Sequence, residues 1–197
     1  DDAVWVGDIA HADLRPKDEE KTVLLDMEGV IEWVKVGHSI LIEDGTIELT
    51  VIEEGENHVV AAAKNPGIIK NRKGVILPDS ELKLSILSEK DRKDLKFVLE
   101  EGVDYIGLSF VGSAQDIKSV RKEMKEMIGE AGPFPQLVSK IERKEAVKNL
   151  ISIIEETDVV MVARGDLGIE MPESEVVILQ KQIIAESLRA AKPVIVA

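Results

Sequence analysis

The sequence has no cysteine, no long apolar run and far fewer basic than acidic residues, and each shortage excludes a class of protein. Without cysteine there is no disulfide, no thiolate chemistry and no cysteine-based zinc site. The apolar runs, such as residues 159–163, have the length of a strand, which excludes a membrane-spanning helix. A net charge of −13 without a basic stripe argues against a protein that binds nucleic acid through its phosphates.

Several familiar site patterns are also missing. Neither GxxxxGK[ST] nor GxGxxG occurs, so P-loop and Rossmann chemistry are not indicated. His11, His38 and His58 lack the spacing of metal ligands. What remains is a chain of 197 residues, 44% hydrophobic and 32% charged, which predicts a globular protein of one or two domains. Its acidic start has no basic region before an apolar run, so we expect no signal peptide and a cytoplasmic location.

The first part of the chain, residues 1–73, is predicted to form a small all-β domain. Its apolar residues come in short, partly alternating runs that are rich in β-formers. Gly37, Asp44-Gly45 and Glu54-Gly55 supply turn signals between these runs. The predicted strand segments are residues 30–36, 39–42, 47–52 and 58–62. This spacing is typical of an antiparallel sandwich or barrel.

From Gly74 the pattern changes to alternating strands and helices, and residues 74–197 are predicted to form a second domain. Ser88 is the predicted N-cap of a helix that ends before Gly102. Further helices are predicted over residues 114–128, 143–156 and 173–191, with strands over 103–110, 135–141, 158–163 and 193–197. The order predicts parallel strands joined by right-handed crossovers. Four such strands are either a complete doubly wound sheet or part of an eight-stranded barrel in a longer protein, and we favour the barrel.

Functional groups in such folds collect where parallel strands end, and two strand ends carry charged residues. Lys140 and Glu142 lie two residues apart in extended chain and therefore point to the same side. Together they could bind an anion and a divalent cation, although a surface ion pair that caps the next helix is the alternative. At the next strand end, Gly165 allows close backbone approach and Asp166 is a hard oxygen ligand. The alternative there is a tight turn with Asp166 as a helix cap.

Two further segments have a functional and a structural interpretation. Ser109 and Phe110 end another strand, where they either line the same mouth or begin the next helix. Residues 70–73 form a basic cluster in an otherwise acidic chain. Its last member, Lys73, is a candidate for binding phosphate, and the alternative is a solvated hinge.

The motifs resemble one family, pyruvate kinase. Ser139-Lys140-Ile141-Glu142 is similar to its catalytic lysine signature, and the MVARGDLGIE stretch at residues 161–170 is similar to its metal-binding strand. Glu43-Asp44-Gly45 and the KGVILP stretch at residues 73–78 also fit in order. The resemblance extends from about residue 30 to residue 197.

The resemblance implies an α/β fold: a partial (β/α)8 TIM barrel with an inserted small all-β lid domain. It implies transfer of the phosphoryl group of phosphoenolpyruvate to ADP, giving pyruvate and ATP, in a cytoplasmic homotetramer. By resemblance, Lys140 stabilises the transferring group, and Glu142 and Asp166 bind Mg²⁺ or Mn²⁺. The backbone around Gly165 and Asp166 would hold the substrate carboxylate, and Lys73 would contact nucleotide phosphate.

The chain also departs from the family pattern. The family's first barrel strands, which carry the ligands of a monovalent cation and a substrate-binding arginine, have no counterpart here. The sequence stops at Ala197, before a threonine expected to assist enolate protonation. We therefore expect K⁺ dependence only in the complete enzyme, and little or no activity from these residues alone. Two alternatives stay open: a non-catalytic fragment, and a metal-dependent aldolase or lyase that handles pyruvate enolates.

Overall fold

The structure is a computed structural model, which describes residues 3–16, 21–80, 85–130 and 132–197. The chain divides into two compact units, Asp1–Lys83 and Leu84–Ala197. No helix in the described ranges has the length and apolar character needed to cross a membrane.

Within its described residues, the first unit has six strands in one sheet. They are β1 (Ala3–Asp8), β2 (Thr22–Leu25), β3 (Ser39–Ile42), β4 (Ile47–Glu54), β5 (His58–Ala63) and β6 (Val75–Ile76). Their order across the sheet is β2-β1-β5-β4-β3-β6, with β1 and β2 parallel and all other neighbours antiparallel. The inward-facing residues of the alternating strands, such as Ile40, Leu49 and Ala61, are buried in one apolar core.

The boundary between the units differs from the expected one at Gly74. Val75 and Ile76 pair with Ile42 and Leu41, which adds β6 to the sheet of the first unit. Because this pairing belongs to the β sheet, the division falls between residues 83 and 84. A two-residue strand is too short to have been visible as an alternating pattern.

The predicted strand over residues 30–36 is wrong. Val30–Trp33 is a short 3₁₀ helix that follows Gly29, whose φ of 72° is left-handed. Val30 and Ile31 are both buried, although consecutive residues of a strand point to opposite faces. The β-branched composition was therefore a poor guide, because burial against the core selected a helical turn for these residues.

The second unit alternates strands and helices. Its elements are α1 (Glu89–Glu101), β7 (Tyr105–Leu108), α2 (Ala114–Ile128), β8 (Gln136–Ile141), α3 (Lys144–Lys148), α4 (Leu150–Glu156), β9 (Val159–Val162), α5 (Arg164–Glu170), α6 (Glu173–Arg189) and β10 (Val194–Val196). The four strands form one parallel sheet in the order β10-β9-β8-β7. Each strand is therefore the neighbour of the one before it in sequence. That order fits part of a barrel and not a doubly wound sheet, in which the strand order reverses at a switch point.

The ends of α1 are fixed by local interactions, as the sequence predicted. The Ser88 hydroxyl accepts a hydrogen bond from the Asp91 N–H at 3.1 Å, and the Asp91 carboxylate accepts one from the Ser88 N–H at 2.9 Å. This reciprocal pair is a capping box. At the other end, Gly102 adopts a left-handed φ of 71° and ends the helix.

One helix prediction needs correction, and one helix was not predicted. The helix predicted over residues 143–156 is interrupted at Asn149, which separates α3 from α4 and donates a side-chain hydrogen bond to the Gly112 carbonyl at 2.8 Å. Asn side chains that hydrogen-bond to backbone groups favour interruptions of a helix over its regular continuation. The helix that was not predicted is α5, where a tight turn had been the alternative interpretation. Gly165 and Gly168 both disfavour helix, but Leu167 is fully buried and anchors it.

Candidate functional site

Three neighbouring strands of the second unit end at the same edge of the parallel sheet. The register pairs Leu108 with Ser139, and Ile141 with Val162. The residues that follow β7, β8 and β9 are therefore brought side by side, as parallel strands require. Ser109 and Phe110, Glu142, and the start of α5 all lie at this edge.

Lys140 lies at the centre of this group of polar side chains. Its Nζ atom donates a hydrogen bond to Ser109 Oγ at 3.0 Å. The same atom lies 2.7 Å from Glu142 Oε2 and 3.8 Å from Asp166 Oδ2. The Lys140 side chain is 26% exposed, so its ammonium remains within reach of solvent and of a ligand. The ammonium of Lys140 therefore lies close to two carboxylates that come from different strand ends.

Glu142 is the buried member of the group, with its side chain only 4% exposed. Its Oε1 atom accepts a hydrogen bond from the Phe110 N–H at 2.5 Å. Its buried Oε2 atom is close to Lys140 but has no hydrogen bond with correct geometry from the described residues. At the N-terminus of α3, the Lys144 N–H donates a hydrogen bond to the Glu170 carboxylate at 2.8 Å. Glu142 is therefore neither a surface residue nor the cap of the next helix.

Asp166 lies in the first turn of α5, which begins at Arg164 after Ala163, so Asp166 is not the cap residue. Its side chain is 54% exposed, in contrast to that of Glu142. A Cβ atom added to Gly165 would have nothing within 4 Å, so the space beside this backbone is open. An exposed carboxylate beside an open stretch of backbone can accept a ligand without rearrangement of the surrounding side chains.

The carboxylate oxygens of Glu142 and Asp166 suit a hard divalent cation such as Mg²⁺ or Mn²⁺. A buried carboxylate oxygen without a hydrogen bond, as at Glu142, is the kind of atom that such a cation would satisfy. Within the described ranges, no group of three or more His, Cys, Asp or Glu side chains is arranged to hold a metal. Two carboxylates are a ligand set that Mg²⁺ commonly completes with oxygens of substrate and water.

Lys73 belongs to the first unit. Its Nζ atom lies 2.6 Å from Glu43 Oε1. The hydrogen bond and charge of Glu43 raise the pKa of Lys73, and the hydrogen bond from Lys73 lowers the pKa of Glu43. Glu43 itself has a positive φ of 53°, in the turn that the sequence marks as Glu43-Asp44-Gly45.

Lys73 also lines a cavity of about 1050 Å³ in the first unit. The described residues that line it include no acidic side chain, although the chain as a whole carries a net charge of −13. The basic residues of the lining are Lys21, Lys64, Lys70, Arg72 and Lys73. A cavity of this composition is electrostatically suited to an anion.

The structure thus brings together Lys140, Glu142 and Asp166, with Gly165 adjacent, while Lys73 belongs to the other unit. Sequence reasoning missed the main-chain contact from Phe110 to Glu142. No residue pattern signals the left-handed backbone of Phe110 that makes it. It also missed Glu43 as the partner of Lys73, although both residues lie in motifs that are recognisable in the sequence.

Comparison with known proteins gives a consistent result over nearly the whole chain. The family model described as "Pyruvate kinase, barrel domain" matches residues 8–197. The match therefore includes most of residues 1–29, for which the sequence motifs alone had given no alignment.

Curated relatives extend the same result. The chain is 40% identical over 195 residues to the pyruvate kinase of Debaryomyces hansenii, and the matched region covers 98% of this chain and 37% of the relative. It is 38% identical over 192 residues to that of Schizosaccharomyces pombe, covering 97% and 36%. It is 41% identical over 183 residues to "Pyruvate kinase PKLR" of Homo sapiens, covering 93% and 31%. The chain thus spans about a third of the length of these relatives.

Proposed function

The chain belongs to the pyruvate kinase family, and from this premise we propose that it supplies the phosphoryl-transfer site of a glycolytic pyruvate kinase. The reaction moves the phosphoryl group of phosphoenolpyruvate to ADP and yields pyruvate and ATP. One observation carries the proposal: a single ammonium, that of Lys140, lies within 4 Å of two carboxylates at adjacent strand ends. Phosphoryl transfer needs mainly positioning and neutralisation of charge, which these groups can provide.

Lys140 is the proposed catalytic residue. Its partly exposed ammonium would neutralise charge on the phosphoryl group as it leaves the enolate oxygen. Ser109 and Glu142 hold this ammonium from two sides, at 3.0 and 2.7 Å. The charge is therefore fixed in place before substrate binds, and little reorganisation is needed during the reaction.

Glu142 and Asp166 are the proposed ligands of Mg²⁺ or Mn²⁺. Such a cation would supply positive charge for the substrate phosphate and for the enolate. The amides around Gly165 and Asp166 are proposed to hold the substrate carboxylate, which the open space beside Gly165 would admit. These amides belong to the first turn of α5, where N–H groups lack intrahelical partners.

Lys73 is proposed to bind a phosphate of ADP. The support is its position in the lining of the basic cavity, together with its ion pair to Glu43. Glu43 would release the ammonium when a more highly charged phosphate replaces it. In this proposal the first unit is the lid of the active site.

The remaining parts of the proposal come from the family. They are a K⁺ requirement, a homotetrameric assembly and a cytoplasmic location. A metal-dependent aldolase is not favoured, because the matches are to pyruvate kinases.

The direct test measures pyruvate formation from phosphoenolpyruvate and ADP with Mg²⁺ and K⁺. It uses the natural polypeptide that carries this chain, with the 197-residue chain assayed beside it. We expect turnover from the former and little or none from the latter. Absence of ADP-dependent pyruvate formation from the natural polypeptide would contradict the proposal.

A further inference from the structure

We propose that Phe110 is a positioning residue, whose main-chain N–H fixes the carboxylate of Glu142 as a cation ligand. The inference rests on the proposed function for the role of Glu142. It assigns to Phe110 a task performed by its backbone and not by its ring.

The backbone of Phe110 is in an unfavourable conformation. Its φ is +59°, in the left-handed region that costs a residue with a Cβ atom free energy relative to the right-handed one. Apart from glycine, residues rarely adopt this conformation. Asn and Asp adopt it more often than bulky residues such as Phe do. Such strain persists only where the surrounding structure fixes it.

Packing of the ring does not account for the conformation. Phe110 is 65% exposed, so its side chain buries little apolar surface in the second unit. The interaction that the conformation does provide is the hydrogen bond from the Phe110 N–H to Glu142 Oε1, at 2.5 Å. A hydrogen bond from an amide to an ionised carboxylate is among the stronger ones in proteins.

Glu142 depends on that hydrogen bond. Its side chain is 4% exposed, and a buried carboxylate that loses a donor pays a large part of its desolvation cost. With Oε1 bound to the amide, the carboxylate cannot rotate freely, and Oε2 stays on the side of Lys140. Oε2 forms an ion pair with Lys140 at 2.7 Å but has no hydrogen bond with correct geometry from the described residues. It therefore keeps lone-pair capacity with which it could bind a divalent cation.

The first experiment removes the hydrogen-bond donor and keeps the side chain of Phe110. Phe110 is replaced by its α-hydroxy analogue, so that an ester oxygen takes the place of the N–H while the ring is kept. Mn²⁺ binding is then measured without substrates, from the electron paramagnetic resonance signal of free Mn²⁺. Loss of a group that orients a metal ligand should weaken Mn²⁺ binding about 10-fold or more.

A second series does not depend on the ester variant and separates the backbone from the ring. Phe110→Gly, Phe110→Ala and Phe110→Val all keep the N–H, but they tolerate a positive φ in decreasing order. The proposal expects Mn²⁺ affinity to fall in the order Gly, Ala, Val. If the apolar ring were what matters, Val would be the best substitute and Gly the worst.

The outcomes also distinguish this inference from the proposed function. Glu142→Gln serves as the reference for loss of the ligand charge. If wild type does not bind Mn²⁺, or if Glu142→Gln binds it equally well, the metal role of Glu142 is wrong and the inference fails with it. If Glu142→Gln weakens binding but the ester variant does not, or Val binds better than Gly, only the role of Phe110 is overturned.

Discussion

Two buried carboxylates, one in each unit, differ in how fully they are hydrogen-bonded. In the first unit, Asp8 is 2% exposed and both of its oxygens have partners. Oδ1 accepts from the His11 N–H at 3.2 Å and is bonded to the His11 ring nitrogen at 2.8 Å. Oδ2 accepts from the Gly29 N–H at 3.0 Å. Glu142 in the second unit is almost as deeply buried, but only one of its oxygens is hydrogen-bonded.

This difference is what we expect if Asp8 is structural and Glu142 is the proposed cation ligand. Asp8 caps the short helix that follows β1 and connects it to Gly29, 21 residues further along the chain. Both of its oxygens are hydrogen-bonded within the fold. One oxygen of Glu142 forms an ion pair with Lys140 but has no hydrogen bond with correct geometry from the described residues, so it keeps lone-pair capacity for a further ligand.

Removal of the ammonium beside Glu142 should have the largest effect. In the natural polypeptide, Lys140→Met should lower kcat by about 10³-fold or more, because it removes the fixed charge that faces the phosphoryl group. Steady-state pyruvate formation measures the effect, and circular dichroism checks that the fold is kept. Turnover retained by this variant would show that Lys140 is not catalytic.

Loss of charge should affect stability at Asp8 and Mn²⁺ affinity at Glu142. Asp8→Asn should lower the free energy of unfolding by about 1–3 kcal/mol, because an acceptor of several hydrogen bonds is weakened. It should leave Mn²⁺ affinity unchanged. Glu142→Gln should instead weaken Mn²⁺ binding about 10-fold or more. Chemical denaturation measures the stability of both variants, and Mn²⁺ titration measures their affinity for the ion. The prediction would be contradicted if the two variants changed stability equally and Mn²⁺ affinity equally.

Lys73 extends the comparison to an exposed ion pair. Lys73→Met should raise KM for ADP by about 10-fold, the effect of losing roughly 1.4 kcal/mol of binding, and change kcat less than Lys140→Met does. Glu43→Gln, which keeps the ammonium and removes its partner, is the matched control and should not raise KM. A KM for phosphoenolpyruvate that rises as much as that for ADP would argue against a nucleotide role.

The smallest effect concerns the pH dependence of stability. Burial opposes ionisation of Asp8, but hydrogen bonds from His11 and the Gly29 N–H, with the charge of His11, outweigh it and lower the pKa below 3.8. A carboxyl whose pKa is lower in the folded state stabilises the fold above its unfolded pKa, and the stabilisation is lost as pH falls through the folded pKa. The stability difference between wild type and Asp8→Asn should thus be constant near neutrality and shrink below about pH 4. If the stability difference were independent of pH, folding would not be linked to protonation of Asp8.

The sequence predicted best where local interactions decide the structure. The capping box of Ser88 and the left-handed Gly102 fix α1 within a few residues, and its bounds agree with the prediction. It failed at Val30–Trp33, where burial of consecutive residues in the core overrode β propensity. For the site, the spacing of Lys140 and Glu142 at a strand end was informative because side chains two apart share a side. The contact from Phe110 could not be predicted, since it depends on a backbone angle that bulky residues rarely adopt.

The register of the parallel sheet has a consequence for how the chain can change in length. Lys140 is paired with Met161 in β9, and its neighbours in β8 alternate between the two faces of the sheet. A deletion of one residue within β8 would turn the lysine towards the opposite face and separate it from Ser109 and Asp166. An insertion after α2, in the connection before β8, would leave the same pairing unchanged. Evolution and engineering are therefore free to vary the length of such connections, while every strand that leads to the site must keep its number of residues.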